Sequence, residues 1–163
     1  AAERGIRIEV VPMHGAAVYA DPSLFARVVD NLLRNAVQYN RADGHVRVSA
    51  ELRPDPHAEA AGDSAAAWSA GTAVLLVTDS GYGIPAPDRE RVFERYYRTD
   101  RSRSRSTGGT GLGLSIASEV IRLFGGTIRV AHSSTDGTTI EVQLPGGAGV
   151  PGQALPYTHP AAS

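Results

Sequence analysis

Residues 72–78 (TAVLLVT) are a nearly continuous apolar run. A short run of this kind reads as a strand at the centre of a sheet, covered on its faces by other layers. It leads straight into Asp79-Ser80-Gly81-Tyr82-Gly83-Ile84. A carboxylate at a strand end, followed by two glycines, lets a ligand approach with little steric hindrance. Ionised Asp is an acceptor only, so Asp79 wants a donor such as an exocyclic amine, and adenine offers one. By itself the segment is equally an ordinary glycine-containing turn.

Other elements arrange themselves around that strand. Residues 6–11 and 16–20 read as short strands around a His14-Gly15 turn. Asp21-Pro22 opens a helix, with Asp21 as cap and Pro22 at the first position. Phe25, Val28, Val29, Leu32 and Ala36 recur at helical spacing, and the helix is expected to end near Tyr39-Asn40. Residues 45–52 alternate like a half-buried strand. Pro85 to Arg91 predicts a short helix. Leu112, Leu114, Ala117, Ile121 and Phe124 mark an amphipathic one, closed by Gly125-Gly126. Strands follow at 127–132 and 138–144 around Asp136-Gly137. The pattern predicts an α/β two-layer sandwich, a mixed sheet packed against about three helices, over residues 1–145.

Three stretches fall outside that frame. Residues 53–71, rich in Ala, Pro, Gly and Asp and containing Trp68, exceed the usual limit of about 12–15 residues for an unstructured loop and read as a mobile insertion. Residues 97–110 are polar, basic and glycine-rich, a flexible loop. Residues 146–163 read as a disordered tail.

Composition removes several function classes. The 163 residues are 42% hydrophobic and 20% charged, as in soluble globular proteins. No apolar run approaches the roughly 20 residues that span a bilayer, and AAERGIRIEV lacks the apolar core of a signal peptide. With no cysteine, disulfides, zinc knuckles and thiol catalysis are excluded. All 16 basic residues are arginines, so a P-loop with its obligatory lysine is excluded too. A net charge of −1 gives no footprint for a nucleic acid. Locally, however, Arg95 to Arg105 holds five arginines against one acid, Asp100.

Two more constellations carry chemistry. Asn31, Asn35 and Gln38 share one side of the first helix, away from its apolar stripe. They are either a solvated polar face or amide oxygens lining a cleft, of the kind that helps to hold a hard cation such as magnesium. Gly108-Gly109-Thr110-Gly111-Leu112-Gly113-Leu114 opens the second amphipathic helix. Such a loop offers free amides and a positive dipole end to an anion, and the arginines just upstream make phosphate the natural one. The Arg-Ser alternation from Arg101 to Ser106 is too short, and too poor in aromatics, for an RNA-binding segment; a lid over a phosphate fits it better.

These pieces, in this order, resemble the catalytic domain of sensor histidine kinases, part of the GHKL superfamily of Bergerat-fold ATPases that includes DNA gyrase, the ninety-kilodalton heat-shock chaperone and MutL. NLLRNAVQY is similar to the N box, DSGYGI to the first glycine box, VFERYYR to the F box and GGTGLGLSIA to the second; DGTTIEV is similar to the closing glycine-threonine strand. The resemblance implies Mg2+ and ATP as ligands. It places Asp79 on the adenine amine, supported through water by Thr138, with Gly81, Gly83 and Ile84 at the adenine end. It places Asn35 on magnesium with Asn31, Gln38 and Tyr39 beside it, Tyr97, Arg98 and Arg105 in the lid, and Phe93 beneath it. Gly109, Thr110, Gly111, Leu112, Gly113 and Leu114 would cradle phosphates. Implied partners are a dimerisation and histidine acceptor domain, in a homodimer, and a response regulator; the implied place is the cytoplasmic side of a membrane-anchored parent.

Two departures stand out. Gln38 occupies a position where the family usually has Lys or Arg, a lost positive charge for which Arg34 or a lid arginine could compensate. None of His14, His45, His57, His132 and His159 sits in the acceptor pattern, so the acceptor is expected before residue 1 or on another chain. Asn31 stands where hydrolytic cousins carry a Glu that activates water, which favours a kinase over an ATPase. A hydrolytic ATPase, and a degenerate nucleotide-sensing or docking module, remain the alternatives at this point.

Overall fold

The computed structural model describes residues 4–11, 16–54, 71–99 and 110–148. Their order is β1 (Arg7–Val10), β2 (Ala16–Val18), α1 (Pro22–Gln38), β3 (His45–Pro54), β4 (Gly71–Asp79), two 3-10 turns (Ala86–Asp88 and Arg91–Phe93), α2 (Gly113–Leu123), β5 (Thr127–Ser134) and β6 (Gly137–Ala148). The start of α1 follows from its first residues. Asp21 Oδ1 accepts from Leu24 N at 2.9 Å, and Pro22 needs no amide partner at the first position.

The strands form one sheet in the order β1-β3-β4-β6-β2, with β5 also paired to β6. β1 runs parallel to β3 and every other pairing is antiparallel, so the sheet is mixed. β4 holds one edge of β6 as far as Gly146, and β5 and β2 follow each other along the opposite edge. Register puts Val46, Asp79 and Thr138 in one cross-strand row, with Val48, Val77 and Ile140 in the next row on the same face.

That face carries the core. Val28, Leu32 and Ala36 of α1 and Leu114, Ala117, Val120 and Ile121 of α2 pack on Val46, Val77, Ile140, Val142 and Leu144. The apolar stripes are a helical period apart, as burial of one helix side requires. Alternation sends Glu51, Arg53, Arg129, Glu141 and Gln143 to the other face. There the buried Glu141 carboxylate accepts from Arg129 Nε and Gln143 Nε2, at 2.7 and 2.8 Å. The two-layer sandwich expected from the sequence is therefore the fold.

Three expectations need correction. The helix predicted from Pro85 is instead two single 3-10 turns, neither with a capping side chain at its start, and the backbone becomes extended at Glu94. The tail was expected to lose structure from residue 146, yet β6 continues to Ala148, where Gly146 to Ala148 pair with β2. Gly146 suits that place, since a Cβ would come within 2.8 Å of Ala73 Cβ. The insertion was drawn two residues too wide at its start and one at its end, because Arg53, Pro54 and Gly71 are paired strand residues. Residues 55–70, with Trp68, and 149–163 lie outside the described residues, as do 100–109 of the lid.

Candidate functional site

A cavity of about 480 Å³ lies between α1, the ends of β4 and β6, the 3-10 turns and the start of α2. This is a common size for a small-molecule site. The structure gathers almost all the residues singled out in the sequence around it. Asn31, Asn35, Gln38 and Tyr39 form the α1 wall, and Asp79, Gly83, Ile84 and Thr138 the sheet end. Tyr97, Arg98, Thr110, Gly111, Leu112, Gly113 and Leu114 form the remaining wall. Gly81 is buried behind the lining rather than in it. Arg105 and Gly109 lie outside the described residues.

The Asp79 end is built for one charge. Asp79 is the last residue of β4, and its Oδ1 accepts from Gly81 N at 2.8 Å. Burial pushes its carboxyl up from 3.8 to about 6, against the amides of Gly81 and Thr138 and the nearby His45, which pull it down. Next to it, Ser133 Oγ accepts from Ile84 N at 2.7 Å and lies 3.1 Å from Thr138 Oγ1, tying the glycine turn to the β5–β6 hairpin. Gly83 has φ +72°, and a Cβ there would fall 1.8 Å from Ser134 O, so only glycine closes this turn.

The opposite end presents the N-terminus of α2. α2 begins at Leu112 and Gly113, and the apolar Leu112 side chain makes no cap bond to its first amides. A Cβ on Gly113 would sit in ordinary contact with Asn31, 3.4 Å from its Oδ1, so the start of α2 faces the asparagine wall of α1. Gly111, also at φ +72°, has Tyr96 backbone within 3.0 Å of its missing Cβ, and Tyr96 N donates to Gly111 O at 3.0 Å. That contact brings the two ends of the 97–110 segment together. Tyr97 is held by its hydroxyl, which donates to Asp88 Oδ1 at 2.6 Å, and by the Arg91 guanidinium 4.3 Å from its ring centre. Arg34, the candidate to replace the charge missing at Gln38, is exposed at the cavity mouth and paired with Asp30 at 2.7 Å. Phe93 packs against the core from the second 3-10 turn.

Sequence reading missed Asn40. It is fully buried, donates from Nδ2 to His45 O at 2.9 Å, and accepts at Oδ1 from Arg41 N and Ser80 Oγ, at 2.9 and 3.1 Å. Ser80 Oγ in turn accepts from His45 N at 2.9 Å. These bonds join the end of α1 to the end of β4, and so the asparagine wall to Asp79. The only sequence signal was an Asn just past a helix end, which is common in unremarkable C-termini.

Residues 20–148 match the histidine kinase-, DNA gyrase B-, and HSP90-like ATPase family. The chain belongs to that family. It is 36% identical over 138 residues to the sensor histidine kinase WalK of Bacillus subtilis, a span of 85% of this chain but only 20% of WalK. The mycobacterial sensor histidine kinase MprB has a structure with TM-score 0.70 and 34% identity, covering 90% of this chain and 88% of that one. Full-length ShkA, solved in complex with AMPPNP, has TM-score 0.67 and 25% identity over 91% of this chain and 27% of that one. The match is thus to the ATP-binding part of sensor histidine kinases. The chain spans about a fifth of WalK.

The residues suit what the family implies. A carboxylate acceptor stands at one end, and a helix N-terminus with an asparagine oxygen beside it stands at the other. No cluster of three or more His, Cys, Asp or Glu suited to a metal exists among the described residues. Asparagine oxygens are neutral, hard donors of the kind that suits a cation taking most of its ligands from phosphate and water, as magnesium does.

Proposed function

We propose that this chain is the ATP-binding catalytic domain of a two-component sensor histidine kinase. It binds Mg-ATP and presents the γ-phosphate to a histidine on a separate dimerisation and acceptor domain, for relay to a response regulator. The parent is a homodimer anchored in a membrane, with this domain on the cytoplasmic side. The observation that carries the reading is one cavity with Asp79 at one end and the open α2 N-terminus, facing Asn31, at the other. The AMPPNP complex of ShkA supports it.

In this reading each side chain has a defined task. Asp79 accepts the adenine amine, with Thr138 beside it and Gly81, Gly83 and Ile84 shaping the turn. Gly111 to Leu114 direct amides at phosphate, Arg98 and Arg105 add charge from the lid, and Tyr97 braces the lid's base. Asn35, with Asn31 next to it, gives amide oxygen to magnesium. Bound Mg-ATP supplies the transferable phosphoryl group and much of its charge neutralisation, and positioning is the protein's main contribution. No general base is needed here, because a neutral imidazole nitrogen on the acceptor is already nucleophilic. Asn31 cannot activate water, which sets the domain against hydrolysis.

The test is to incubate the chain with ATP labelled in the γ-phosphate and the parent's acceptor domain. Label should appear on the acceptor as an acid-labile phosphohistidine, with little phosphate release from the chain alone. Steady phosphate release without transfer would replace this reading with a hydrolytic one.

A further inference from the structure

α1 carries the asparagines, and its C-terminal end is held in an unusual way. Its last turn contains no basic residue, although exposed carbonyls there carry partial negative charge. The missing cation comes from far away in sequence. Arg4 Nη1 donates to Val37 O and Gln38 O, both at 2.9 Å, and Nη2 donates to Asn40 O at 2.6 Å. The contact is braced on its own strand side: Asp43 N donates to Arg4 O at 3.0 Å and Arg7 N to Gly44 O at 3.0 Å. From the other side, Tyr82 N of the glycine turn donates to Tyr39 O at 3.3 Å. The helix end is therefore clamped between the start of the described chain and the Asp79 turn.

We propose that Arg4 is a positioning residue for the phosphate and metal end of the cavity. One guanidinium gathering three carbonyls fixes both the rotation and the advance of the last turn of α1. Gln38 belongs to that turn and Asn35 lies one turn or less before it, both facing the cavity. Asp79 is held by its own strand pairing with Val46 and Thr138 and by the amide of Gly81, and Arg4 takes part in none of these. Loss of Arg4 therefore loosens one end of the cavity and spares the other. The proposal rests on the ATP-binding reading above.

The experiment is a calorimetric titration of wild type and Arg4→Ala with Mg-ATP and, separately, with adenosine, which reaches only the Asp79 end. Both proteins are first shown to be folded at the working temperature by circular dichroism. Removing charge-assisted bonds of this kind should weaken Mg-ATP binding on the order of tenfold, and adenosine binding less than about twofold. Arg4→Lys, with charge but no fork, should recover part of the Mg-ATP loss. If Arg4→Ala does not fold, Arg4→Gln, which keeps donors without charge, reads the same ratio. Equal losses for both ligands, or no loss for either, overturn the proposal. Wild type binding neither ligand would instead overturn the ATP-binding reading itself.

Discussion

Asp79 shows how a functional residue is placed against stability. Its pKa is about 6 in the folded chain, against 3.8 for the ordinary carboxyl, so the folded state holds the proton more tightly. The stability this group contributes is complete below about 3.8 and is lost as pH rises through about 6. At neutral pH the ionised form thus costs the ligand-free fold about 3 kcal/mol. Asp79→Asn removes that charge. Its ligand-free thermal midpoint should exceed that of wild type by several degrees at pH near 7, with the gap closing below about pH 4. Melting followed by circular dichroism checks this; a gap that ignores pH would contradict it. Wild-type ATP affinity should fall as pH drops below about 6, because a protonated Asp79 loses half its accepting capacity. The role of Asp79 was legible because strand, acid and glycines are contiguous. Asn40 was not, because its partners His45 and Ser80 are supplied by two other elements.

Elements divide the molecule into a working face and a supporting one. Leu32 is buried between α1 and the sheet, so Leu32→Ala should cost about 2–5 kcal/mol in denaturant unfolding. Glu141 lies on the opposite face, among arginines that are about half exposed. Glu141→Ala should lower stability by about 1–3 kcal/mol yet leave ATP affinity within twofold, as calorimetry on the folded protein would show. A large affinity loss there would mean that the two faces are coupled. Helix α1 was legible from Asp21, Pro22 and the Val28-Leu32-Ala36 stripe, all local signals. The reach of β6 past Pro145 was not, since nothing in GGA favours a strand and its partners, β2 with Gly71 of β4, make it one. The segment after Pro85 reads as helical, but it is short and has no capping side chain, and it forms only two 3-10 turns.

At the scale of the whole molecule, one layer of helices leaves a cavity between α1 and α2, walled by the glycine turns that end β4 and open α2. The motifs come together because the sheet register sets Asp79 beside Thr138 while helix packing sets Asn31 beside Gly113. That convergence was legible only through the family resemblance; spacing alone says nothing of which loops meet. Since asparagine oxygens are poor cation ligands without phosphate, magnesium alone should not shift the thermal midpoint, and ATP with magnesium should raise it more than ATP with a chelator.

The central claim is that this cavity takes ATP through Asp79, and a calorimetric titration with ATP and magnesium at neutral pH, run beside Asp79→Asn, tests it most directly. Saturable binding of one nucleotide per chain is expected, weakened at least about tenfold in a variant that melts no lower than wild type. Absence of saturable binding, or equal binding by the folded variant, would contradict it.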